Sequence, residues 1–165
     1  MRAIRTGPVA RSRSLSRKLL ATTSFDAALA DIRRIRASGA QAVVDVLASR
    51  FERYSWVGIY AVDGDDLVLT AWRGPAATEH VRIPIGQGIC GAAAASGVTE
   101  IVDDVNEDSR YLACFASTRS EIVVPIVRHG VVVGEIDIDS DERSSFGEDD
   151  RIFLEQVASE LAPLL

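Results

Sequence analysis

Two pairs of β-rich runs constrain the fold of this chain more than any other feature of its sequence. In the first pair, "YSWVGIYAV" and "DLVLTAW" are separated by "DGDD", whose Asp-Gly step favours a tight hairpin turn. In the second pair, "SEIVVPIV" and "GVVVGEIDID" are joined at His129-Gly130. A hairpin makes its two strands antiparallel neighbours, so both pairs predict an antiparallel sheet.

Helical patterns flank these runs. Behind Ser24, a predicted N-cap, the apolar residues Phe25, Leu29, Ile32 and Ile35 recur at helical spacing. Two further helices are predicted over "AQAVVDVLASRFER" and "FGEDDRIFLEQVASELAPLL". Short runs, "HVRIPI" and "VTEIV", supply two more strands, for about six in all.

These elements predict an α+β fold in one domain over residues 24–165. The terminal helices cover one face of the central antiparallel sheet. Loops and a short helix between residues 73 and 119 remain to cover the other face. A sheet with such a lid encloses a natural pocket for a small molecule.

Charge and composition exclude several classes of partner. The chain of 165 residues carries a net charge of −6 and has a pI near 4.9, which argues against binding nucleic acid. It contains no apolar run long enough to span a bilayer. Two cysteines are too few for a disulfide framework, so a reducing compartment, the cytoplasm, is expected.

The N-terminal residues 1–23 differ from the rest because their first twenty residues are rich in Arg and Ser and contain no acidic residue. Two interpretations stay open. Such a segment resembles an organellar transit peptide in composition, and it also fits a basic arm without fixed structure.

The stretch "IPIGQGICGAAAASG" contains Gly86-x-Gly88-x-x-Gly91, the glycine spacing of a dinucleotide-binding loop. A helix that starts near Ile89 meets Gly97 after about two turns, whereas a parallel crossover needs a dozen residues or more. The dinucleotide interpretation therefore fails, and Cys90 among these glycines needs another explanation.

The two cysteines, Cys90 and Cys114, have two interpretations. Their spacing is not a zinc pattern, and His80 and His129 add no paired ligand, so no metal site is predicted. A redox pair is one interpretation, because a helix N-terminus lowers the pKa of a thiol, and Gly88 and Gly91 would let a ligand or a second sulfur approach Cys90 closely. The other is that both are small buried hydrophobic residues.

Acidic residues alternate along "GEIDIDSD", where Glu135, Asp137 and Asp139 point to one face of a strand. Glu121 on the preceding strand can lie beside them. These acids face the pocket if a β-bulge near Gly134 switches the phase of the strand. A solvated acidic face is the alternative, and it stays open.

Two aromatic residues, Trp56 and Tyr60, lie four positions apart and therefore on one face of their strand. They form either an aromatic wall for a ligand or part of the core.

Taken together and in this order, "SWVGIY", "RIPIGQGICGAAA", "DDVNEDSRYLACFASTRSEIVVPI" and "GEIDIDSD" resemble the free methionine-(R)-sulfoxide reductases, which are single GAF domains. The resemblance covers about residues 27–161. It implies an enzyme that reduces free methionine-(R)-sulfoxide and excludes protein-bound residues, because the pocket encloses the whole amino acid.

The resemblance also implies roles for residues. Cys114 matches the nucleophile, and Cys90 would resolve its sulfenic acid as a disulfide. Thioredoxin, which receives its reducing equivalents from NADPH, would reduce that disulfide, and the protein itself would bind no cofactor. The family's substrate-binding acids, which hold the ammonium group and supply a proton, match Glu121, Asp137 and Asp139. Its aromatic wall matches Trp56 and Tyr60.

One departure from the family pattern concerns His80, which stands where many members carry a third cysteine. Either Cys90 resolves alone, or turnover is slow and depends on external thiol. The alternatives to an enzyme are a GAF sensor without catalysis and a thiol switch that uses the two cysteines alone. A homodimer through the helical face is a further expectation from the resemblance.

Overall fold

The computed structural model describes residues 23–165. The predicted basic arm over residues 1–23 lies outside this range except for Thr23. Thr23 is already helical, so the prediction that Ser24 is an N-cap is wrong, because Ser24 lies inside the first helix.

Four α-helices lie in the described part of the chain. Helix α1 covers residues 23–35 and is followed by a 3₁₀ turn, Arg36–Ser38. None of the helices in this part combines the length and the apolar composition that crossing a bilayer requires. The other helices are α2 (Ala40–Arg50), α3 (Gly88–Ser96) and α4 (Glu148–Leu161).

A six-stranded antiparallel sheet forms the centre of the fold. Its spatial order is β3-β2-β1-β6-β5-β4, so the two hairpins meet where β1 pairs with β6. The strands are β1 (Trp56–Asp63), β2 (Asp66–Arg73), β3 (Arg82–Pro84), β4 (Glu100–Val102), β5 (Ser120–Arg128) and β6 (Val131–Ser140).

The β5–β6 hairpin turns where the sequence predicted it. His129 and Gly130 have φ values of 52° and 79°, the left-handed conformation that a two-residue hairpin turn with strand-compatible twist needs at both positions. Further along, Ile126 pairs with Gly134 but Val127 pairs with Val132, which leaves Val133 as a bulge. This bulge next to Gly134 confirms the predicted switch of phase.

The sheet has a core on each face. On the helical face, α1, α2 and α4 pack against Val57, Ile59, Ile122, Ile136 and Ile138, all fully buried. Each such side chain contributes about 1.5–3 kcal/mol when it leaves water. On the other face, α3 and the loops cover Trp56, Tyr60 and Val123. The predicted α+β fold with a lid is therefore confirmed.

Candidate active site

The floor of the pocket consists of three neighbouring strands. Trp56 of β1 pairs with Asp139 of β6, and Tyr60 pairs with Glu135. Glu121 of β5 pairs with Asp139 from the other side. Side chains of paired residues point to the same face of a sheet, so the aromatic and acidic residues lie in adjacent rows beneath the lid.

The lid brings both cysteines to this floor. Cys90 lies in the first turn of α3 and is buried, whereas Cys114 lies in the loop before β5 and is half-buried. Both are free thiols. The Cys90 thiol donates a weak hydrogen bond to Oε1 of Glu121 at 3.8 Å. Cys114 Sγ lies 3.6 Å from the carbonyl oxygen of Leu112.

The glycines around Cys90 serve close packing of the lid. A Cβ at Gly88 would lie 2.8 Å from Leu112, in the loop that carries Cys114. A Cβ at Gly91 would lie 2.6 Å from the carbonyl oxygen of Pro84, so Gly91 packs α3 against its own approach loop. The expectation that Gly91 leaves room for a ligand at Cys90 is therefore wrong.

One small cavity is lined by both predicted cysteines and by the three predicted acidic residues. Its closed volume is about 20 Å³, which holds roughly one water molecule, so an amino acid enters only if the lid moves. The lining residues capable of redox or acid–base chemistry are Cys90, Cys114, Glu121, Asp137 and Asp139. The remaining lining residues are His80, Ile83, Gly88, Ile89, Tyr111 and Leu112.

The two aromatic residues of the predicted wall do not line this cavity. Trp56 and Tyr60 are buried beside it, and the Tyr60 hydroxyl donates a hydrogen bond to the carbonyl oxygen of His80 at 3.0 Å. The indole of Trp56 stacks on Trp72 and lies 6.1 Å from the ring of Phe115, the neighbour of Cys114. Movement of the Cys114 loop would therefore uncover Trp56.

Burial raises the pKa of every carboxyl group on the floor. For Asp137 burial raises the pKa to about 6, while contacts with Cys90 and Glu121 lower it. For Glu121, Glu135 and Asp139 burial and then the charge of Asp137 hold the pKa well above its ordinary value. Burial and the neighbouring charge of Asp137 thus favour the protonated form of Glu121, Glu135 and Asp139, in which a carboxyl group can donate a proton.

Both thiols resist ionisation. Burial, followed by the charges of Asp137 and Glu135, raises the pKa of Cys90 well above its ordinary value. The expectation that the helix N-terminus lowers this pKa is wrong, because burial beside carboxyl groups outweighs the dipole. Burial and Asp137 raise the pKa of Cys114 to about 12, although a hydrogen bond from Thr78 lowers it.

Several carboxyl oxygens on the floor lack a hydrogen-bond partner among the described residues. They are Oε1 and Oε2 of Glu135, Oε2 of Glu121 and Oδ1 of Asp137. Buried polar atoms are normally paired, because leaving one without a partner costs about 1–3 kcal/mol. The site is therefore suited to a ligand that brings positive charge and hydrogen-bond donors.

Comparison with known proteins identifies the family of the chain. The family model described as GAF domain matches residues 31–165. A free methionine-R-sulfoxide reductase of Escherichia coli is 36% identical over 120 residues, which span 73% of this chain and 72% of the relative. The chain belongs to the free methionine-R-sulfoxide reductase family of GAF domains.

Solved structures of this family have the same fold. A reductase from Neisseria meningitidis, solved in complex with its substrate, is 36% identical, with a TM-score of 0.79 over 84% of this chain and 86% of that one. A type II member from Thermoplasma acidophilum is 39% identical, with a TM-score of 0.75 over 81% and 94%. The predicted family is confirmed.

The structure also adds residues that the predicted site left out. Glu135 was noticed in the alternating strand but not assigned to the site, although it is fully buried on the same floor. Thr78 is buried beside Cys114 and carries no motif that marks it. The other two added residues are Gly58 and Gly74. Only Gly58 had a sequence signal, its place between the aromatic residues of "WVGIY".

Gly58 and Gly74 make room for the indole of Trp56, because a Cβ at either position would overlap that ring. We expect Gly58→Ala to destabilise the domain by about 1–3 kcal/mol, the usual cost of overpacking. Chemical denaturation measures this free energy of unfolding. In a Trp56→Leu background the cost should fall, and an unchanged cost there would show that the alanine clashes with something else.

Proposed function

We propose that this protein reduces free L-methionine-(R)-sulfoxide to L-methionine and is recycled by thioredoxin. The observation that carries the proposal is the single cavity in which two free thiols meet three carboxyl groups. The identity with reductases of the family supports the same reaction.

In the first step the sulfur of Cys114 attacks the sulfoxide sulfur, and the sulfoxide oxygen passes to the cysteine. Methionine leaves, and the cysteine becomes a sulfenic acid, so the thiol loses the two electrons that the sulfoxide gains. The developing oxyanion needs a proton. Glu121 and Asp139 are suitable donors, because burial and the charge of Asp137 raise their pKa values and so favour the protonated form.

The nucleophile must also lose a proton, because burial makes the Cys114 thiol a weak acid. Asp137 is the suitable acceptor, since its pKa of about 6 leaves it ionised at neutral pH. The hydrogen bond from Thr78 then stabilises the thiolate. We assign attack to Cys114 because it is the less buried thiol and lies on the loop that must move to admit substrate.

In the second step the thiol of Cys90 attacks the sulfenic sulfur of Cys114. An S–S bond forms, the S–O bond breaks, and the oxygen leaves as water with the thiol proton and the sulfenic proton. Thioredoxin then reduces the disulfide by thiol exchange. With His80 in place of the third cysteine, Cys90 is the only other cysteine of the chain.

Substrate selection follows from charge and enclosure. The carboxylate of Asp137, with Glu121 and Asp139, would hold the ammonium group of the free amino acid. A peptide-bound residue has no such ammonium group and cannot be enclosed between floor and lid. Trp56 and Tyr60 would wall the side chain once the Cys114 loop has moved away from Trp56.

The test is NADPH consumption coupled through thioredoxin reductase and thioredoxin. It compares free R-sulfoxide, free S-sulfoxide and an R-sulfoxide within a peptide. We expect a preference of at least about 100-fold for the free R epimer over the peptide, because buried acids left without their ammonium partner reject the wrong substrate. We expect a similar preference over the free S epimer, because its oxygen points away from the proton-donating acids when the ammonium group is held. No activity on any of the three, with both thiols reduced, would favour a ligand sensor instead.

A further inference from the structure

A second kind of ligand suits the deepest part of the floor. One ligand atom from each of Cys90, Glu121 and Asp137 lies within 4.8 Å of the others, and all three residues are buried. Thiolate and carboxylate are ligands of Zn²⁺, at about 2.3 Å and about 2.0–2.2 Å from the ion. Neighbouring ligands of a tetrahedral ion then lie about 3.3–3.8 Å apart, and Cys90 Sγ lies 3.8 Å from Glu121 Oε1.

Glu135 is an independent observation at the same place. Its side chain is fully buried, and among the described residues neither carboxyl oxygen has a well-formed hydrogen bond; the one donor that acts on its pKa is the weak thiol of Cys90. The group borders Cys90 and Asp137, both of which act on its pKa. A buried carboxyl group with only a weak thiol donor beside it lacks the compensation that a cation would supply.

The charge and size of the site point in the same direction. None of the ion pairs formed by residues 23–165 involves Glu121, Glu135, Asp137 or Asp139. The nearby N-terminus of α3 opposes a cation, but it carries only about half a charge. The closed cavity of about 20 Å³ accommodates a bare ion without movement of the lid, whereas an amino acid needs that movement.

We propose that a thiophilic divalent cation of the zinc class binds to Cys90 Sγ and to carboxyl oxygens of Glu121 and Asp137, with the buried Glu135 carboxyl group beside this ligand set. The spacing of ligands along the chain predicted no metal site, because these three residues come from three elements that only the folded sheet and α3 bring together. The cation would occupy the place of the substrate ammonium and block the resolving thiol. This consequence rests on the proposed function, but the binding itself does not.

The experiment is a titration of the reduced, untagged protein with Zn²⁺ by calorimetry, and with Cd²⁺ by absorbance, without thiol reagents. We expect one ion per chain with release of protons, and a sulfur-to-cadmium charge-transfer band in the near ultraviolet. Cys90→Ser should remove this band and weaken zinc binding at least about 100-fold, since losing even an outer partner of a ligand costs about 10- to 100-fold.

Glu121→Gln should weaken zinc binding about tenfold or more, whereas Glu142→Gln, the same change at an exposed residue past the end of β6, should leave it unchanged. Cys114→Ser should keep the cadmium band. Binding weaker than about millimolar, or a band that survives Cys90→Ser, overturns the proposal. Thermal melting confirms that each variant is folded, and because no sulfoxide is present, failure here leaves the proposed reduction intact.

Discussion

Cys114→Ser is expected to lower methionine formation at least about a thousand-fold, even for a single turnover, because the atom that accepts the sulfoxide oxygen is gone. Cys90→Ser is expected to form one equivalent of methionine and then stop when thioredoxin is the reductant. The physical reason is the placement of the two thiols. Cys114 is half-buried on a loop, whereas Cys90 is buried in α3 beside Glu121.

The measurement is rapid-quench detection of methionine from enzyme in excess over sulfoxide, with mass spectrometry of the protein after trapping by a sulfenic-acid reagent. The trapped adduct should accumulate on Cys114 in Cys90→Ser and be absent in Cys114→Ser. Serine is close to cysteine in size, so each variant serves as the structural control of the other. Equal loss of the single turnover in both would overturn the assignment of roles.

The fold could be predicted because its signals are local. The turn at His129-Gly130 and the alternation of apolar residues specify hairpins and faces within a few residues of each position. Even the bulge at Val133 was predictable, since Ile136 and Val133 reach the same core only if the phase changes between them. Such inferences need no knowledge of distant partners.

The electrostatics of the site could be predicted only in part, because they depend on contacts across the sheet. The position of Cys90 in the first turn of α3 indicates a lowered pKa, but burial, and then Asp137 and Glu135 of β6, raise this pKa instead. Likewise, the role of Gly58 depends on where the indole of Trp56 lies relative to Gly74. Cross-strand register and lid packing decide these contacts, and neither is encoded within a short window.

The carboxyl cluster makes the fold less stable as the pH rises, which is the opposite of ordinary acid denaturation. The pKa of Asp137 rises on folding from 3.8 to about 6, so between these values the folded state binds more protons than the unfolded chain. The contribution of Asp137 to the free energy of unfolding is fully present below about pH 4. As the pH rises through 6, about 3 kcal/mol of it is lost. Glu121, Glu135 and Asp139 add to the loss of stability with rising pH, because folding raises their pKa values as well.

Asp137→Asn is therefore expected to stabilise the domain at pH 8 by about 1–3 kcal/mol while impairing reduction of the sulfoxide, since the amide cannot accept the Cys114 proton. Urea denaturation measures the free energy of unfolding at pH 5 and at pH 8. Between these two pH values the free energy should fall less in the variant than in the parent protein. Asp139→Asn should behave alike, and Glu142→Gln, exposed past the end of β6, should leave the fall unchanged.

A parent whose stability does not fall between pH 5 and pH 8 would contradict the raised pKa values, and unchanged kinetics in both asparagine variants would remove the acids from the mechanism. If stability rises while activity is lost, the buried acids are retained despite their cost to the fold. That trade-off is the one expected of groups kept for binding or catalysis, since a core residue under no functional demand would be replaced by an apolar or neutral side chain.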